Sequence, residues 1–340
     1  MKRAQAYGYT GMIPCGTRDQ ITDVPGIKVG HCTLDHENIH TGVTVILPPG
    51  DIYQNPCIAA CHVQNGFGKT AGLMQIEELG TLETPIALTN TLNVGRISDA
   101  LVHYMIDTEA EKGIHITTLN PVVGECNDSS INDITKTACG RKELEQAIVD
   151  ANETFKEGAV GAGRGTICYG LKGGIGSASR IVTISGKAYT FGILVQSNFG
   201  RTACLQFNGS PIGKKIAEEI NHPAESDKGS IMMILATDCP LSARQLKRVC
   251  RRVPNGLART GSYTGNGSGE VVIGFSIANR LSRTKDLMNL QVLPDNVLDP
   301  VFLAASEMCE EAVYNSMLNA EATKKLDGSV CHALSEFLHA

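Results

Sequence analysis

Two β-type runs meet at Ser185-Gly186-Lys187, so residues 180–198 read as a single hairpin whose second arm carries the apolar stretch Phe191 to Val195. A hairpin of this kind belongs inside a sheet, and further strand-like segments are spread along the chain. They are expected at 43–48, 84–91, 115–125, 230–238 and 270–279. Helical spacing marks 73–79, 97–113 (stopping at Gly113), a charged amphipathic stretch at 142–157, and 211–220. It also marks 241–259, interrupted by Pro254, and a long amphipathic helix at 299–325 capped by Asp299 before Pro300. Strand pairs and helices come in runs and do not alternate strictly. That pattern predicts a layered α+β fold with helices on antiparallel sheet.

Glycine reaches 36 of 340 residues, above the usual ~7%, which calls for tight turns and close backbone approaches. Eight of these glycines fall within 158–179, a density expected to exclude a regular element there. Residues 221–229 are polar, carry Pro223 and Gly229, and read as an exposed linker.

Composition excludes several classes. The net charge is −5 and no run of lysine and arginine builds a basic face, so a nucleic-acid partner is not expected. No apolar run approaches the ~18 residues of a membrane span. The N-terminus lacks the apolar core of a signal peptide. Twelve scattered cysteines without a C-x-x-C pair read as reduced thiols of a cytoplasmic protein, Cys57 and Cys61 as ordinary buried ones. Tryptophan is absent and aromatics make up 5%, which argues against stacking platforms for RNA or glycans.

Familiar motifs fail on spacing. Residues 66–70, GFGKT, end like a phosphate-binding loop, but Val63 stands where its first glycine is required. The glycine pairs at 161–165 and 265–269 lie outside a strand–helix frame, and Asn266 breaks a nucleophile elbow around Ser268. His31, Cys32, His36 and His40 have no second cluster of acids or histidines to complete a metal site, so hydrogen-bonded or surface histidines are expected.

Three segments carry more chemistry. Gly229-Ser230 stands where a polar stretch meets a strand. If the chain were cut before Ser230, the new α-amine, with a pKa near ~7.7–8.0, would serve as base for the hydroxyl of the same residue. Ser268 and Glu270, two apart at a strand start, point to one face. Asn198 ends the hairpin with an amide suited to an oxyanion. Each has an ordinary reading as well: a turn, a polar loop with a paired glutamate, a turn asparagine.

Taken together the pieces resemble the DmpA-like serine aminopeptidases, which include L-aminopeptidase/D-esterase and β-peptidyl aminopeptidase. ITDVPGIKVGHCT, PVVGECND, LKGGIGSASR, LVQSNFG, GSIMMILATDCPLSARQLKRV and TGNGSGEVVIGFS occur in family order between about residues 20 and 325. The resemblance implies a four-layered αββα sandwich, Ntn-hydrolase-like and shared with ornithine acetyltransferases. It implies one domain over 1–340 that cuts itself between Gly229 and Ser230 into subunits 1–229 and 230–340. It implies Ser230 as nucleophile, Ser268 and Glu270 as assisting groups, Asn198 as oxyanion donor and Glu125 as anchor for the substrate's amino group. It further implies no metal or organic cofactor, small peptide, amide or ester substrates, and a homo-oligomer, a tetramer of cleaved heterodimers.

One departure stands out. Ser129-Ser130 replace a glycine and a bulky residue usual after the Glu-x-Asn-Asp stretch, in a loop expected at the substrate pocket. Acyltransferases and oligoamide hydrolases of this architecture use threonine as nucleophile, which Ser230 disfavours. A non-catalytic oligomeric binding scaffold is the third possibility, against which stands the presence of the whole residue set.

Overall fold

The computed structural model describes residues 1–220 and 228–338. The first half of the chain runs β1 (Lys28–His36), β2 (Ile39–Leu47), β3 (Cys57–Gly66), α1 (Leu73–Leu79), β4 (Thr81–Leu82), β5 (Ile86–Asn90), α2 (Val94–Ala110), β6 (Val122–Cys126) and α3 (Arg141–Asp150). The short hairpin β7 (Ile167–Cys168) and β8 (Leu171–Lys172) precedes the long hairpin β9 (Gly174–Ile184) and β10 (Lys187–Asn198). Then come α4 (Gly213–Glu219), β11 (Lys228–Thr237), α5 (Ala243–Cys250), α6 (Val253–Arg259), β12 (Gly267–Arg280), α7 (Asp299–Leu318), β13 (Thr323–Lys324) and β14 (Val330–Cys331).

Two sheets form the middle of the molecule. One has the order β4-β3-β12-β11-β10-β9, the other β1-β2-β5-β6. Helices α5–α7 cover the outer face of the six-stranded sheet, α2 and α3 cover the four-stranded one, and β10 and β11 pack across to β6. This is the expected αββα layering. The sheets are mixed where antiparallel sheet was expected: β11 pairs with β12, and β5 with β6, in parallel.

Burial on both faces explains the strand composition. In β10, Phe191, Ile193 and Val195 enter the core under the helices, while Leu194 enters the core between the sheets. Each such side chain stabilises by roughly 1.5–3 kcal/mol. Strands lined by protein on both sides read as continuous apolar runs. The β9–β10 turn falls at Ser185 and Gly186, both with positive φ, the backbone that a two-residue hairpin demands.

Four sequence expectations need correction. The glycine-rich stretch does contain a regular element, β9, because helix α7 lies directly on it. A Cβ on Gly176 would fall 2.0 Å from the Ala312 carbonyl oxygen, so glycine there serves close packing. The helix expected at 142–157 stops at Asp150: Asn152 leaves it to exchange two backbone hydrogen bonds, each 3.0 Å, with Val29. The strand expected at 115–125 begins only at Val122. Finally, α7 ends at Leu318 and is not amphipathic; every residue from Ala304 to Leu318 is buried. Asp299 is its first residue, following Leu298, and makes no capping hydrogen bond.

The N-terminal segment completes the cover of α7. Ala4 N–H donates to Asn315 Oδ1 at 2.9 Å and Met12 N–H to Glu307 Oε1 at 2.8 Å. The interruption at Pro254 is real: α5 and α6 are separate helices, with the proline in the first turn of α6. Most of the expected linker, 221–227, lies outside the described residues, and β11 starts at Lys228.

Candidate active site

The register of the six-stranded sheet assembles the site. Asn198, the last residue of β10, stands directly opposite Ser230 in β11. Antiparallel partners share a face. The next residues of that face along β11, Met232 and Ile234, enter the core between the sheets, so Ser230 points inward toward β6. The Ser230 hydroxyl is buried against the Cys126 thiol of β6, a weak hydrogen-bonding group, and has no nitrogen or oxygen partner among the described residues. A buried hydroxyl left with so weak a partner calls for a functional reason.

Ser230 opens onto a cavity of about 820 Å³, whose walls include Phe67, Thr91, Glu125, Ser129 and Asn198. Glu125 is buried in β6, next to Cys126. Its Oε1 accepts the Lys69 N–H at 2.9 Å, and its Oε2 accepts the Thr91 hydroxyl. The carboxylate is thus held by neutral donors and makes no ion pair among the described residues. Asn198 Oδ1 accepts the Ile167 N–H at 2.9 Å. That bond fixes the amide orientation and leaves Nδ2 as the donor end.

Gly229 precedes the serine for a packing reason. Its φ is not in the left-handed region; instead a Cβ there would lie 2.0 Å from the Asn198 carbonyl oxygen. Only glycine lets the two backbones approach this closely.

Ser268 and Glu270 do share a face of β12, and both are completely buried. Their partners in β11 are Gly229 and Ile231, however, so they lie on the alternate face from the Ser230 hydroxyl. Ser268 flanks the Gly229–Ser230 junction from the helix side of the sheet. The loop before β12 is held by Asn65 Nδ2, which donates to the carbonyls of Gly265, Asn266 and Ser268.

The Ser129–Ser130 stretch lines the cavity, as its sequence position led us to expect. Sequence reasoning missed Phe67 and Lys69, although it singled out their GFGKT segment, and missed Lys325, which reaches the cavity from beyond α7. Nothing in local spacing marks them, because they arrive from two loops far apart in the chain. Of the histidines in the 31–40 segment, His31 and His40 are hydrogen-bonded and His36 is exposed. Those of β1 and β2 are separated by the hairpin turn at Glu37-Asn38. His31 bonds Thr44 Oγ1 and the Lys156 carbonyl, and burial lowers its pKa to about 4; His40 meets Asp35 at 2.6 Å. The cysteines read as reduced thiols, Cys57 and Cys61 among the buried ones.

A layered αββα sandwich with a serine at the head of a central strand, facing an asparagine and a carboxylate, defines an Ntn-hydrolase-like fold of the serine hydrolase class. The comparisons agree. The model of peptidase family S58 matches residues 19–331. The β-peptidyl aminopeptidase BapA of Sphingosinicella microcystinivorans is 34% identical, over 92% of this chain and 84% of that protein. The PH0078 protein of Pyrococcus horikoshii OT3 superposes with a TM-score of 0.93 at 45% identity, covering 99% of this chain and 97% of that one. The L-aminopeptidase D-Ala-esterase/amidase of Ochrobactrum anthropi, described as a prototype for the serine aminopeptidases and a variant of the Ntn hydrolase fold, gives 0.91 at 33% identity, covering 98% and 96%. The chain belongs to peptidase family S58. It is a hydrolase of the serine aminopeptidase class. Among the described residues, no helix is long and apolar enough to cross a membrane.

Proposed function

We propose that residues 1–340 form one domain that cuts itself between Gly229 and Ser230, and that the product is an aminopeptidase and amidase acting through an acyl-enzyme on Ser230. The observation that carries this reading is the Asn198–Ser230 pair: a buried hydroxyl with only a thiol beside it, directly across the ladder from an oriented amide, on the wall of one cavity with Glu125.

In the self-cut, Ser230 Oγ attacks the Gly229 carbonyl carbon and the peptide C–N bond breaks. The hydroxyl proton passes to the departing nitrogen. Water then hydrolyses the ester, leaving a Gly229 carboxylate and a Ser230 bearing both free amine and hydroxyl. Ser268, beside Gly229, and Glu270, one step further on the same face, serve here as hydroxyl relay and carboxylate. They then hold the new α-amine. The two subunits, of 229 and 111 residues, stay joined through the sheet that β11 shares with β10 and β12.

In turnover, the amine takes the hydroxyl proton while Oγ attacks the carbonyl of the substrate's first residue. Asn198 Nδ2 stabilises the oxyanion, a donor whose loss typically costs about 10²–10³ in rate. The leaving amine or alcohol departs with the proton, and water releases the acid. Glu125, held by Lys69 and Thr91 without a counter-charge, pairs with the substrate ammonium and so selects N-terminal residues. Small peptides, amides and esters fit this chemistry, β-peptides included, as the name of the Sphingosinicella relative indicates. We place the enzyme in the cytoplasm on its reduced cysteines and read it as a homo-oligomer, a tetramer of cleaved heterodimers.

Denaturing intact-mass measurement tests the reading. Wild type should give fragments 1–229 and 230–340, and Ser230→Ala a single inactive chain. An uncut wild type, or a Ser230→Ala protein that hydrolyses an aminoacyl p-nitroanilide at the wild-type rate, overturns it.

A further inference from the structure

We propose that Lys172 is a positioning residue for Asn198: its ammonium holds the 163–173 loop so that the Ile167 N–H orients the Asn198 amide for the substrate oxyanion. The inference rests on the oxyanion role given to Asn198 above.

Lys172 is completely buried, and its Nζ donates to three backbone carbonyls: Gly163 at 3.1 Å, Thr166 at 2.7 Å and Gly173 at 2.7 Å. It makes no ion pair among the described residues. An ammonium carries three donors, and here all three point at one loop. In the β7–β8 hairpin Lys172 is the direct partner of Ile167, the residue whose N–H reaches Asn198 Oδ1. Both Ile167 and Gly165 line the cavity.

The same hairpin is braced against the residue after Asn198. Its turn sits at Tyr169 and Gly170, both with positive φ, and the Tyr169 N–H donates to the Phe199 carbonyl at 2.6 Å. The Tyr169 ring meets Phe199 edge-on at 5.1 Å, and its hydroxyl bonds Thr260 Oγ1 at 2.8 Å. The amide of Asn198 is therefore set by a loop with two anchors, Tyr169 at the tip and Lys172 at the base. Its flipped orientation would present an oxygen to the oxyanion. Burial lowers the lysine to about 7. The titratable and charged groups facing it are Cys168 and Arg164 of its own segment, Asp128 from the loop after β6 and Cys331 of β14.

The test is a double-mutant cycle on the full chain, with turnover normalised to the cleaved fraction measured by intact mass. Asn198→Ala should lower kcat by about 10²–10³. Lys172→Met should lower kcat by about tenfold or more, with KM held within about twofold, because the lost interaction acts in the transition state. In the Asn198→Ala background, Lys172→Met should then lower kcat by less than about twofold, since the group it positions is gone. Lys172→Gln, which keeps a donor for the carbonyls, should recover part of the loss.

An unchanged kcat in Asn198→Ala brings down the oxyanion reading and this proposal with it. An impaired Asn198→Ala with full multiplicative losses in the double variant overturns the positioning role alone. So does a Lys172→Met protein whose defect lies only in KM or in Tm. Failure of both lysine variants to fold, with Asn198→Ala folding normally, assigns Lys172 to folding and overturns the proposal as well.

Discussion

Arg180 in β9 and Lys172 in β8 are both buried cations, and they are satisfied in opposite ways. The Arg180 guanidinium meets Glu311 at 2.7 Å, Glu307 at 3.1 Å and Asp19 at 3.7 Å. Those carboxylates come from α7 and the N-terminal segment, so the cluster fastens α7 and that segment to the sheet. Beside the cavity, Lys172 and Glu125 are each held by neutral hydrogen-bond partners. In the Arg180 cluster, charge is met by opposite charge. Around the cavity, buried charge is oriented by dipoles and left uncancelled. Such groups are costly to bury, and they gather at functional sites.

The comparison breaks most sharply at Arg180. Arg180→Met leaves Asp19, Glu307 and Glu311 together without their cation, and should destabilise the fold by about 3–5 kcal/mol. The turnover of each folded site should stay unchanged. Denaturant unfolding with parallel kinetics checks this, and a kcat defect at full stability would erase the distinction between the two regions.

The pH dependence of stability should carry opposite signs in the two regions. Lys172 sheds its proton near 7 in the folded state, whereas a free lysine keeps it to ~10.4. Over that window the unfolded chain binds more protons, so the contribution of Lys172 to stability grows as pH rises. Glu311 behaves in reverse. Burial, with Asp19 nearby, raises its pKa above the ordinary carboxylate range, so the folded state holds the extra proton. Its contribution is complete below the free value of ~4.3 and declines as pH rises through the folded value. Unfolding midpoints measured from pH 6 to 9 should show a flatter alkaline limb in Lys172→Met and a flatter decline in Glu311→Gln. The same slope in all three proteins would contradict both assignments.

The smallest expected effect sharpens the comparison at Glu125. Thr91→Val removes one neutral donor from the carboxylate, about 1.5 kcal/mol for a charged acceptor. KM for an aminoacyl amide should rise several-fold with kcat nearly constant. A KM unmoved by the change would argue that Glu125 does not bind the substrate ammonium.

Much of this was legible in the residues. The SGK turn, the break at Pro254 and the strand at Ser230 follow from local backbone preference, which a sequence carries directly. The motif residues Asn198, Ser230 and Glu125 were recognisable by resemblance, and the structure brings them to one cavity. The alternation of Ser268 and Glu270 placed them correctly on a common face. It could not say which side of the Ser230 strand that face adjoins, since this depends on the parallel pairing of β11 with β12.

What the sequence determined by itself is local: turn chemistry, apolar runs long enough to be strands, and the identities of the reactive groups. Tertiary structure decided the rest. Gly174 and Gly176 became strand because other backbone packs directly on them, Gly158 on the first and helix α7 on the second. The long helix α7 is buried on every side because the first residues of the chain close over it. Lys172 found its partners in carbonyl oxygens, which every residue possesses and no sequence pattern advertises. The ladder register placed Asn198 across from Ser230. Backbone hydrogen bonding is blind to side-chain identity, so which residues meet is set by how whole strands and layers stack, not by the residues that meet.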